Sequence, residues 1–222
     1  MKQSTILALM LFAGVIFSTS SIAAPSNHPL ADVDFPKDDA SLQRGFKIYY
    51  DSCRLCHNLK YIKYKHLLEI GITQEAINSL RGELSVISSM TKSITDEHVI
   101  ELYGQVPPDL SLMAKARKSG PEYIYTLMTG YHENDDGTYD NNLFPGIKMP
   151  DVLDSAIVMD DADKTRVENR ARDVTAFLTW AADPNAEERK KIGIYVIAYL
   201  SILSLMFYII MKRVWRRLDK MD

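Results

Sequence analysis

Apolar residues return at helical spacing in the first third of the chain. From residue 41 onward an apolar side chain recurs every three or four positions, which places the set on one face of a helix. The set is Leu42, Phe46, Tyr49 and Cys53. Asp39 or Ser41 can cap the start of this helix with a side-chain oxygen. The pattern therefore predicts an amphipathic helix with a cysteine at its end, facing the core.

Two short helices are expected after it. The first covers residues 73–81 and ends at Gly82. The second starts near Thr95, has two acidic residues in its first turn and stops at Gly104. Acidic side chains near a helix start and a glycine just past its end are favourable at those termini.

A further helix is expected to open with Pro121, because proline fits the first turn of a helix. Its inward residues are Ile124, Leu127 and Met128, and Gly130 lies past its end. Residues 133–142 then form a polar, turn-rich stretch that includes Asp136-Gly137. No segment shows the convincing polar and apolar alternation of a strand.

The last helix before the C-terminal apolar run begins near Thr165, where Thr165-x-x-Glu168 fits a capping box. Apolar residues follow it at helical spacing, and Asp183-Pro184 ends it. Residues 24–37 are rich in proline and aspartate and are expected to wrap the surface. The whole pattern predicts a mainly α-helical fold.

The N-terminus has the features of a secretory signal peptide, residues 1–23. Lys2 precedes an apolar run at residues 6–17, and Ser21-Ile22-Ala23 offers small residues before a cleavage site. An N-terminal membrane anchor is the alternative. A mitochondrial transit peptide fits poorly, because the first 36 residues contain one lysine and no arginine.

A second apolar run, residues 192–211, contains twenty residues without a charge. At ~1.5 Å per residue it can cross a hydrocarbon core of ~30 Å. Residues 187–191 form a basic juxtamembrane segment before it, and a larger basic cluster lies in residues 212–222. The larger cluster favours a cytoplasmic tail. A buried helix of a soluble protein would not need such basic flanks.

Residues 24–186 between these runs make one domain of ordinary size. The domain contains 17 of the 26 lysines and arginines and 25 of the 29 acidic residues, a formal net charge of −8. An acidic surface provides solubility, and it can also steer a basic partner in a salt-dependent manner. The near-neutral total of −3 therefore combines an acidic domain with a basic membrane segment.

The chain has two cysteines, and both lie in Cys53-Arg54-Leu55-Cys56-His57. Cys-x-x-Cys-His is the attachment signature of c-type haem, in which each thiol forms a thioether with a porphyrin vinyl group and the histidine supplies an axial nitrogen. A thioredoxin-like dithiol is the main alternative, although it expects a strand before the motif. A zinc site would need further thiols or paired histidines.

An electron carrier keeps a sixth ligand on the iron, and a thioether favours the reduced state. Met149 is the best candidate, because Gly146 and two prolines shape an irregular loop around it. Met113 and Met159 are alternatives, whereas Met128 is expected to fill the core. The remaining histidines, each in a polar neighbourhood, are weaker alternatives: His28, His66, His98 and His132.

Beyond the motif, the sequence resembles the cytochrome c1 family, the haem subunit of the cytochrome bc1 complex. The resemblance covers roughly residues 40–215. The matching segments are residues 42–46 with Tyr49, Tyr61-x-x-Tyr64-x-x-Leu67, Pro107 to Ser111 with Ala116-Arg117, Tyr123, Leu127 to Tyr131, Phe144-Pro145-Gly146, Asp173-Val174 and Trp180 to Ala182. The loop before Met149 is shorter than in many relatives, and residues 103–106 also differ from the family pattern.

Carried over to this chain, the resemblance implies one haem c attached at Cys53 and Cys56, with His57 and Met149 as the axial iron ligands. It also implies that Pro108 packs on the porphyrin, that Arg117 pairs with a haem propionate and that Tyr123 belongs to the same site. A guanidinium can neutralise a partly buried carboxylate through paired hydrogen bonds. A solvated helix charge is the other interpretation of Arg117.

The resemblance implies a non-autonomous redox subunit that works with cytochrome b, a Rieske iron–sulfur protein and a cytochrome c acceptor, in a dimeric complex of a bacterial inner membrane. The haem c domain, residues 24–186, would then be periplasmic. A haem subunit of a terminal oxidase is one alternative, and it would lack the segment at residues 107–111. A thiol–disulfide oxidoreductase is another, and it would show no haem absorption.

Overall fold

The computed structural model describes residues 28–218 of the 222, so the predicted signal peptide at residues 1–23 lies outside the described residues. Within that range the fold is mainly α-helical, as predicted. The α-helices are α1 Asp39–Asp51, α2 Gln74–Arg81, α3 Asp96–Tyr103, α4 Met113–Ala116, α5 Gly120–Thr129, α6 Asp161–Ala182 and α7 Ala186–Leu218. Two 3-10 helices cover Cys53–Leu55 and Tyr64–Ile70.

Two small antiparallel ribbons complete the domain, although the sequence pattern predicted no strand. One pairs β1, Leu59–Lys63, with β2, Ser89–Met90, and the other pairs β3, Tyr131–Glu133, with β4, Tyr139–Asn141. The turn-rich stretch at residues 133–142 is thus mostly a hairpin, with Gly137 at φ +78° in its turn. Strands of two to five residues are too short for alternation to show in the sequence.

The core forms where α1 crosses α6. Gly45 permits the close approach, because a Cβ atom there would lie 2.0 Å from the carbonyl oxygen of Asp173. Phe177 of α6 packs against Phe46 and Tyr49 of α1, with ring centroids 5.6 and 5.7 Å apart. Arg44 donates two hydrogen bonds to the Asp173 carboxylate, from Nε at 2.6 Å and from Nη2 at 2.9 Å. One apolar face of each helix therefore builds the centre of the domain.

The start and end of α1 differ from the sequence prediction. Asp38, rather than Asp39 or Ser41, caps the helix, and its carboxylate accepts from the Ser41 N–H at 2.9 Å. The helix ends at Asp51, so Cys53 lies beyond it in a 3-10 turn rather than on the helix itself.

The start of α6 also differs from the prediction. The helix begins at Asp161, about one turn before Thr165, and the capping box at Thr165 was wrong. Asp160 is the cap, and its carboxylate accepts from the Asp163 N–H at 2.8 Å. Acidic side chains in the first turn stabilise this start through the helix dipole, so the helix extends back to them.

Three other helices follow their predicted signals. Thr73 caps α2, which ends before Gly82, and Thr95 caps α3, which ends before Gly104 at φ +76°. Pro121 is the second residue of α5, and Gly130 follows the end of that helix. Local capping chemistry was therefore sufficient to locate these elements.

The C-terminal helix α7 has 33 residues and is exposed along nearly its whole length. Its stretch Ala186–Arg216 has a mean hydropathy of 2.3 over its most apolar part, which is long and apolar enough to cross a membrane. The helix is longer than the predicted span of residues 192–211, because it also includes the basic flanks. Asp183 links its base to the domain by pairing with Lys115 at 2.6 Å and with Arg189.

Candidate cofactor site

A largely apolar cleft of about 330 Å³ opens between the cysteine motif, α5, α6 and the loop after β4. All seven residues singled out from the sequence line it: Cys53, Cys56, His57, Pro108, Arg117, Tyr123 and Met149. Apolar side chains that the sequence analysis did not assign to the site complete the walls, among them Leu110, Val174 and Leu178. The helical spacing of Val174 and Leu178 was the available signal for their shared face.

The backbone of the cysteine motif folds into one tight turn. The carbonyl oxygen of Cys53 accepts from the N–H groups of Cys56 at 3.1 Å and His57 at 2.9 Å. A segment 39 residues further along the chain then braces this turn: Ser93 donates to the Arg54 carbonyl at 3.0 Å and Ile94 to the Leu55 carbonyl at 3.3 Å. The positions of the two thiols are therefore set by long-range hydrogen bonds as well as by the motif.

Asn58, directly after the motif, connects it to two flanking segments. Its side-chain oxygen accepts from the Lys92 N–H at 2.9 Å, and its carbonyl accepts from the Leu110 N–H at 2.9 Å. The segment at residues 107–111 is tied in further, since Asp109 and Ser111 accept from the N–H groups of Lys60 and Tyr61. This explains physically why residues 107–111 belong to the site.

His57 is buried and held in one orientation. Its Nδ1 lies 2.8 Å from the carbonyl oxygen of Pro108, and the Tyr49 hydroxyl donates to the His57 carbonyl at 3.3 Å. A carbonyl can only accept, so Nδ1 carries the proton and Nε2 keeps its lone pair. Burial lowers the pKa of His57, in spite of the Pro108 hydrogen bond that opposes it. The imidazole is therefore neutral at physiological pH and can donate to a metal through Nε2.

Cys53 and Cys56 lie in an environment that disfavours the thiolate form. Burial raises the pKa of Cys53 to about 12, and burial also raises the pKa of Cys56. A redox dithiol needs the opposite shift, because the thiolate is its nucleophile. The surroundings of Cys53 and Cys56 thus argue against the thiol–disulfide oxidoreductase.

Met149 lines the cleft from the loop that follows β4. The Tyr131 hydroxyl donates to the Met149 carbonyl at 3.0 Å, and burial raises the pKa of Tyr131, so this hydroxyl remains a donor at neutral pH. Met113 and Met128 also line the cleft, from α4 and α5. Met159 is 88% exposed and lies outside the lining.

Among residues 28–218, His57 is the one histidine that lines the cleft. His66 instead accepts from the Lys63 N–H at 3.2 Å, and His132 lies on β3. Arg117 lies exposed at the edge of the cleft, with its guanidinium 5.9 Å from the centre of the Tyr123 ring. Lys148, which the sequence analysis did not single out, adds a second cation to the lining beside Met149.

These donors fit a covalently bound haem. Two thiols in one turn can form the two thioethers, a neutral imidazole fixed through Nδ1 can bind iron through Nε2, and a methionine lies in the same cleft. The apolar walls suit a porphyrin ring, and the cations at the lining suit its propionates. The donor set does not suit a metal ion bound by clustered acidic residues, and no such cluster occurs among the described residues.

Comparison with known proteins agrees with this chemistry. The sequence profile described as "Cytochrome C1 family" matches residues 34–218. The chain is 30% identical to cytochrome c1 of Rhodospirillum rubrum, over 81% of this chain and 82% of the relative. It is 32% identical to cytochrome c1 of Allochromatium vinosum, over 84% and 87%, and 31% identical to a mitochondrial cytochrome c1 of Arabidopsis thaliana, over 88% and 77%. The chain therefore belongs to the cytochrome c1 family, the haem-bearing electron-transfer subunits of the cytochrome bc1 complex.

Proposed function

We propose that this protein relays single electrons from a Rieske iron–sulfur protein to a cytochrome c acceptor, in a complex with cytochrome b. The observation that supports the proposal best is the apolar cleft, where the side chains of Cys53, Cys56 and His57 come from one braced turn and His57 is oriented through Nδ1. When bound, haem c supplies a reversible one-electron iron couple. The protein itself binds and orients the group, excludes water and sets the potential.

Each residue of the cleft has a proposed part. Cys53 and Cys56 form the thioethers, and His57 binds iron through Nε2. Met149 supplies the sixth ligand, which is favoured over Met113 and Met128 because it lies in an irregular loop rather than on a helix. A thioether ligand raises the reduction potential relative to a second histidine.

Three further residues complete the proposed site. Pro108 packs on the porphyrin while its carbonyl orients His57. Arg117 pairs with a propionate, and the ring of Tyr123 supports the guanidinium from 5.9 Å. An Arg117 already held beside an aromatic face loses less side-chain freedom when it pairs with a carboxylate.

The proposed topology places residues 24–186 in the periplasm of a bacterium, with residues 192–211 crossing the inner membrane and residues 212–222 in the cytoplasm. Two independent sequence features support it: the signal peptide at residues 1–23 and the larger basic cluster after the span. Residues 187–191, at the start of α7, form the proposed juxtamembrane segment on the outer side. The subunit would act only within a dimeric complex, without turnover of its own.

The test is a reduced pyridine haemochrome spectrum of purified membranes that contain this chain, with mass spectrometry of the mature polypeptide. The chain should show one haem, a mass increased by one porphyrin and removal of residues 1–23. A Cys53→Ser/Cys56→Ser double variant is the control and should show neither the haem nor the added mass. Two unmodified thiols in the unaltered chain, made in a host that matures c-type cytochromes, would refute the proposal.

Co-purification separates the proposed complex from the alternative of a terminal oxidase subunit. The chain, solubilised in mild detergent, should retain cytochrome b and a Rieske protein. The segment at residues 107–111 favours this outcome, because it matches the cytochrome c1 family and a terminal oxidase subunit would lack it. Co-purification with oxidase subunits instead would show that the chain is a subunit of a terminal oxidase.

A further inference from the structure

The β3–β4 hairpin lies against the loop that presents Met149. Its base pairs Tyr131 with Asn141, and the adjacent pair is His132 with Asp140. Tyr131 is 5% exposed and Asn141 is 1% exposed, so the base of the hairpin is part of the interior. The acidic tip of the hairpin, in contrast, is exposed.

Three side chains of this hairpin bind the backbone of the loop at three successive places. Asn141 accepts from the N–H groups of Leu143 at 2.9 Å and Phe144 at 3.2 Å, where the loop begins. Asp140 accepts from the Gly146 N–H at 2.7 Å, in the middle of the loop. Tyr131 donates to the Met149 carbonyl at 3.0 Å, at the residue that faces the cleft.

The loop depends on these bonds, because its own backbone can do little to hold it. Pro145 and Pro150 have no N–H to donate, and Gly146 adopts φ +76°, where glycine is strained least. Within residues 143–150 the backbone makes one internal hydrogen bond, from Ile147 to Phe144 at 3.2 Å. Asn141 is anchored in turn, since its amide donates to the Leu127 carbonyl of α5 at 2.8 Å.

We propose that the β3–β4 hairpin positions the sixth ligand, with Tyr131 and Asp140 as positioning residues that hold the backbone of Met149 at the distance its thioether needs. The inference rests on the proposed function, which makes Met149 an iron ligand. A partner that fixes the orientation of a metal ligand usually affects the strength of the metal bond. Loss of these hydrogen bonds therefore lets the loop move away and weakens the bond between sulfur and iron.

The first test compares Tyr131→Phe with the unaltered protein, both as haem-loaded chains in membranes. Tyr131→Phe removes one hydroxyl and keeps the ring, so the haem should stay attached. Its reduction potential should fall in the same direction as in Met149→Ala but by less. The absorption band of methionine-bound ferric haem should weaken, and the ferrous haem should begin to bind carbon monoxide. Tyr139→Phe, on the exposed side of the same hairpin, is the matched control and should match the unaltered protein in all three measurements.

A second pair of variants tests the hairpin even if Tyr131→Phe accumulates poorly. Asp140→Ala removes the acceptor for Gly146, and it should lower the potential and weaken the same band. Asp140→Asn retains an oxygen at that place and should restore both. Equal behaviour of these two variants, or a Tyr131→Phe protein with unaltered potential and band, overturns the positioning role.

The result for Met149→Ala distinguishes this failure from a failure of the proposed function. If Met149→Ala changes the potential and the band while the hairpin variants do not, only the positioning role is wrong. If Met149→Ala also leaves both unchanged, Met149 is not the ligand, and the assignment in the proposed function falls with it. A chain without any haem would refute the proposed function itself.

Discussion

At the scale of single residues, the two proposed ligands His57 and Met149 would have opposite effects on the reduction potential of the haem iron. The carbonyl oxygen of Pro108 accepts from Nδ1 of His57 at 2.8 Å, which makes the imidazole a stronger electron donor and favours ferric iron. A thioether from Met149 favours ferrous iron. The reduction potential of the proposed site therefore reflects a balance between these two ligands, and each can be varied alone.

Met149→Ala is predicted to lower the haem reduction potential and leave the thioethers intact. Axial ligands span a range of roughly 0.8 V, and the expected shift is on the order of 0.1 V. A redox titration followed by the haem absorption measures it, with Met159→Ala as the control because Met159 is 88% exposed and lies outside the lining of the cleft. An unchanged potential would point to Met113 or Met128, which line the same cleft.

The Asp183 carboxyl, in the link between α6 and α7, should make the stability of the fold depend on pH. Its hydrogen bonds with Lys115 and then Arg189 lower the pKa of its carboxyl. A lowered pKa in the folded state contributes stability above the ordinary value of ~3.9, and this contribution is lost as the pH falls through the folded value. Asp183→Asn should therefore melt slightly below the unaltered protein at pH 7.

The difference between the two proteins should shrink as the pH drops below ~4. Thermal unfolding in detergent, followed by the haem absorption at several pH values, measures it. Asp135→Asn is a suitable control, because Asp135 is exposed at the tip of the β3–β4 hairpin and makes no ion pair with another element among residues 28–218. A difference in melting temperature that grows towards acid pH would contradict the role of Asp183.

At the scale of elements, the close crossing of α1 and α6 depends on the absence of a Cβ atom at Gly45. Gly45→Ala places a Cβ atom 2.0 Å from the Asp173 carbonyl oxygen, so the helices must separate. Overpacking of this kind costs about 1–3 kcal/mol, whereas the change from glycine to alanine gains about 1 kcal/mol in helix propensity. The cost outweighs the gain when it is near the upper end of its range. Because Asp173 also binds Arg44, separation weakens that ion pair as well.

Gly45→Ala is accordingly predicted to reduce the free energy of unfolding, and denaturant unfolding of the haem-loaded chain measures the change. Lys47→Ala, an exposed position on the same helix, is the control and should stay within about 0.5 kcal/mol of the unaltered protein. If both variants unfold alike, the close approach at Gly45 does not limit the packing of these helices.

Short-range chemistry explains which elements the sequence could predict. The signals that predicted α2 and α3 lie at the ends of the helices themselves: Gly82 follows the end of α2, and Thr95 and Gly104 flank α3. The start of α6 was missed because several aspartates precede it and any of them can cap a helix. The ribbons were missed because their pairing joins residues up to 31 positions apart, such as Leu59 with Met90.

The same distinction applies to the site. Cys53, Cys56 and His57 could be proposed as haem-attachment residues from their spacing alone, because that chemistry requires the three residues within one short motif. The hydrogen bonds of Ser93, Leu110 and Tyr131 could not, since they join groups that lie 18 to 52 residues apart in the chain. The sequence thus identifies the groups that react, whereas the groups that hold them in place emerge only from the fold.

At the scale of the whole molecule, charge is divided between the domain and the membrane segment. The domain has a formal net charge of −8, so a basic electron partner should approach it faster at low ionic strength. The rate of electron transfer to a basic cytochrome c should fall as salt is added, because the Debye length shrinks from ~10 Å at 0.1 M to ~3 Å at 1 M. Stopped-flow absorbance with the purified complex measures this rate.

Removing the negative charges at the exposed tip of the β3–β4 hairpin should make the rate of electron transfer depend less on salt concentration. The variant is Glu133→Gln with Asp135→Asn and Asp136→Asn, and a control replaces Glu75 in α2 and Glu83 just after that helix. The tip belongs to the hairpin that supports the Met149 loop, so its charge lies on the same side of the domain as that loop. A rate that rises with salt would instead indicate an acidic partner.

The length of α7 determines how the protein meets its partners. Thirty-three residues at ~1.5 Å make a rod of about 50 Å, and a hydrocarbon core takes only about 30 Å of it. A three-residue link separates α7 from α6, and Asp183 in this link forms ion pairs with Lys115 and Arg189. In the proposed topology, a haem domain on so short a link has little freedom to move above the membrane. Its electron partners would therefore have to diffuse to it, and the rate of electron transfer should depend on their diffusion.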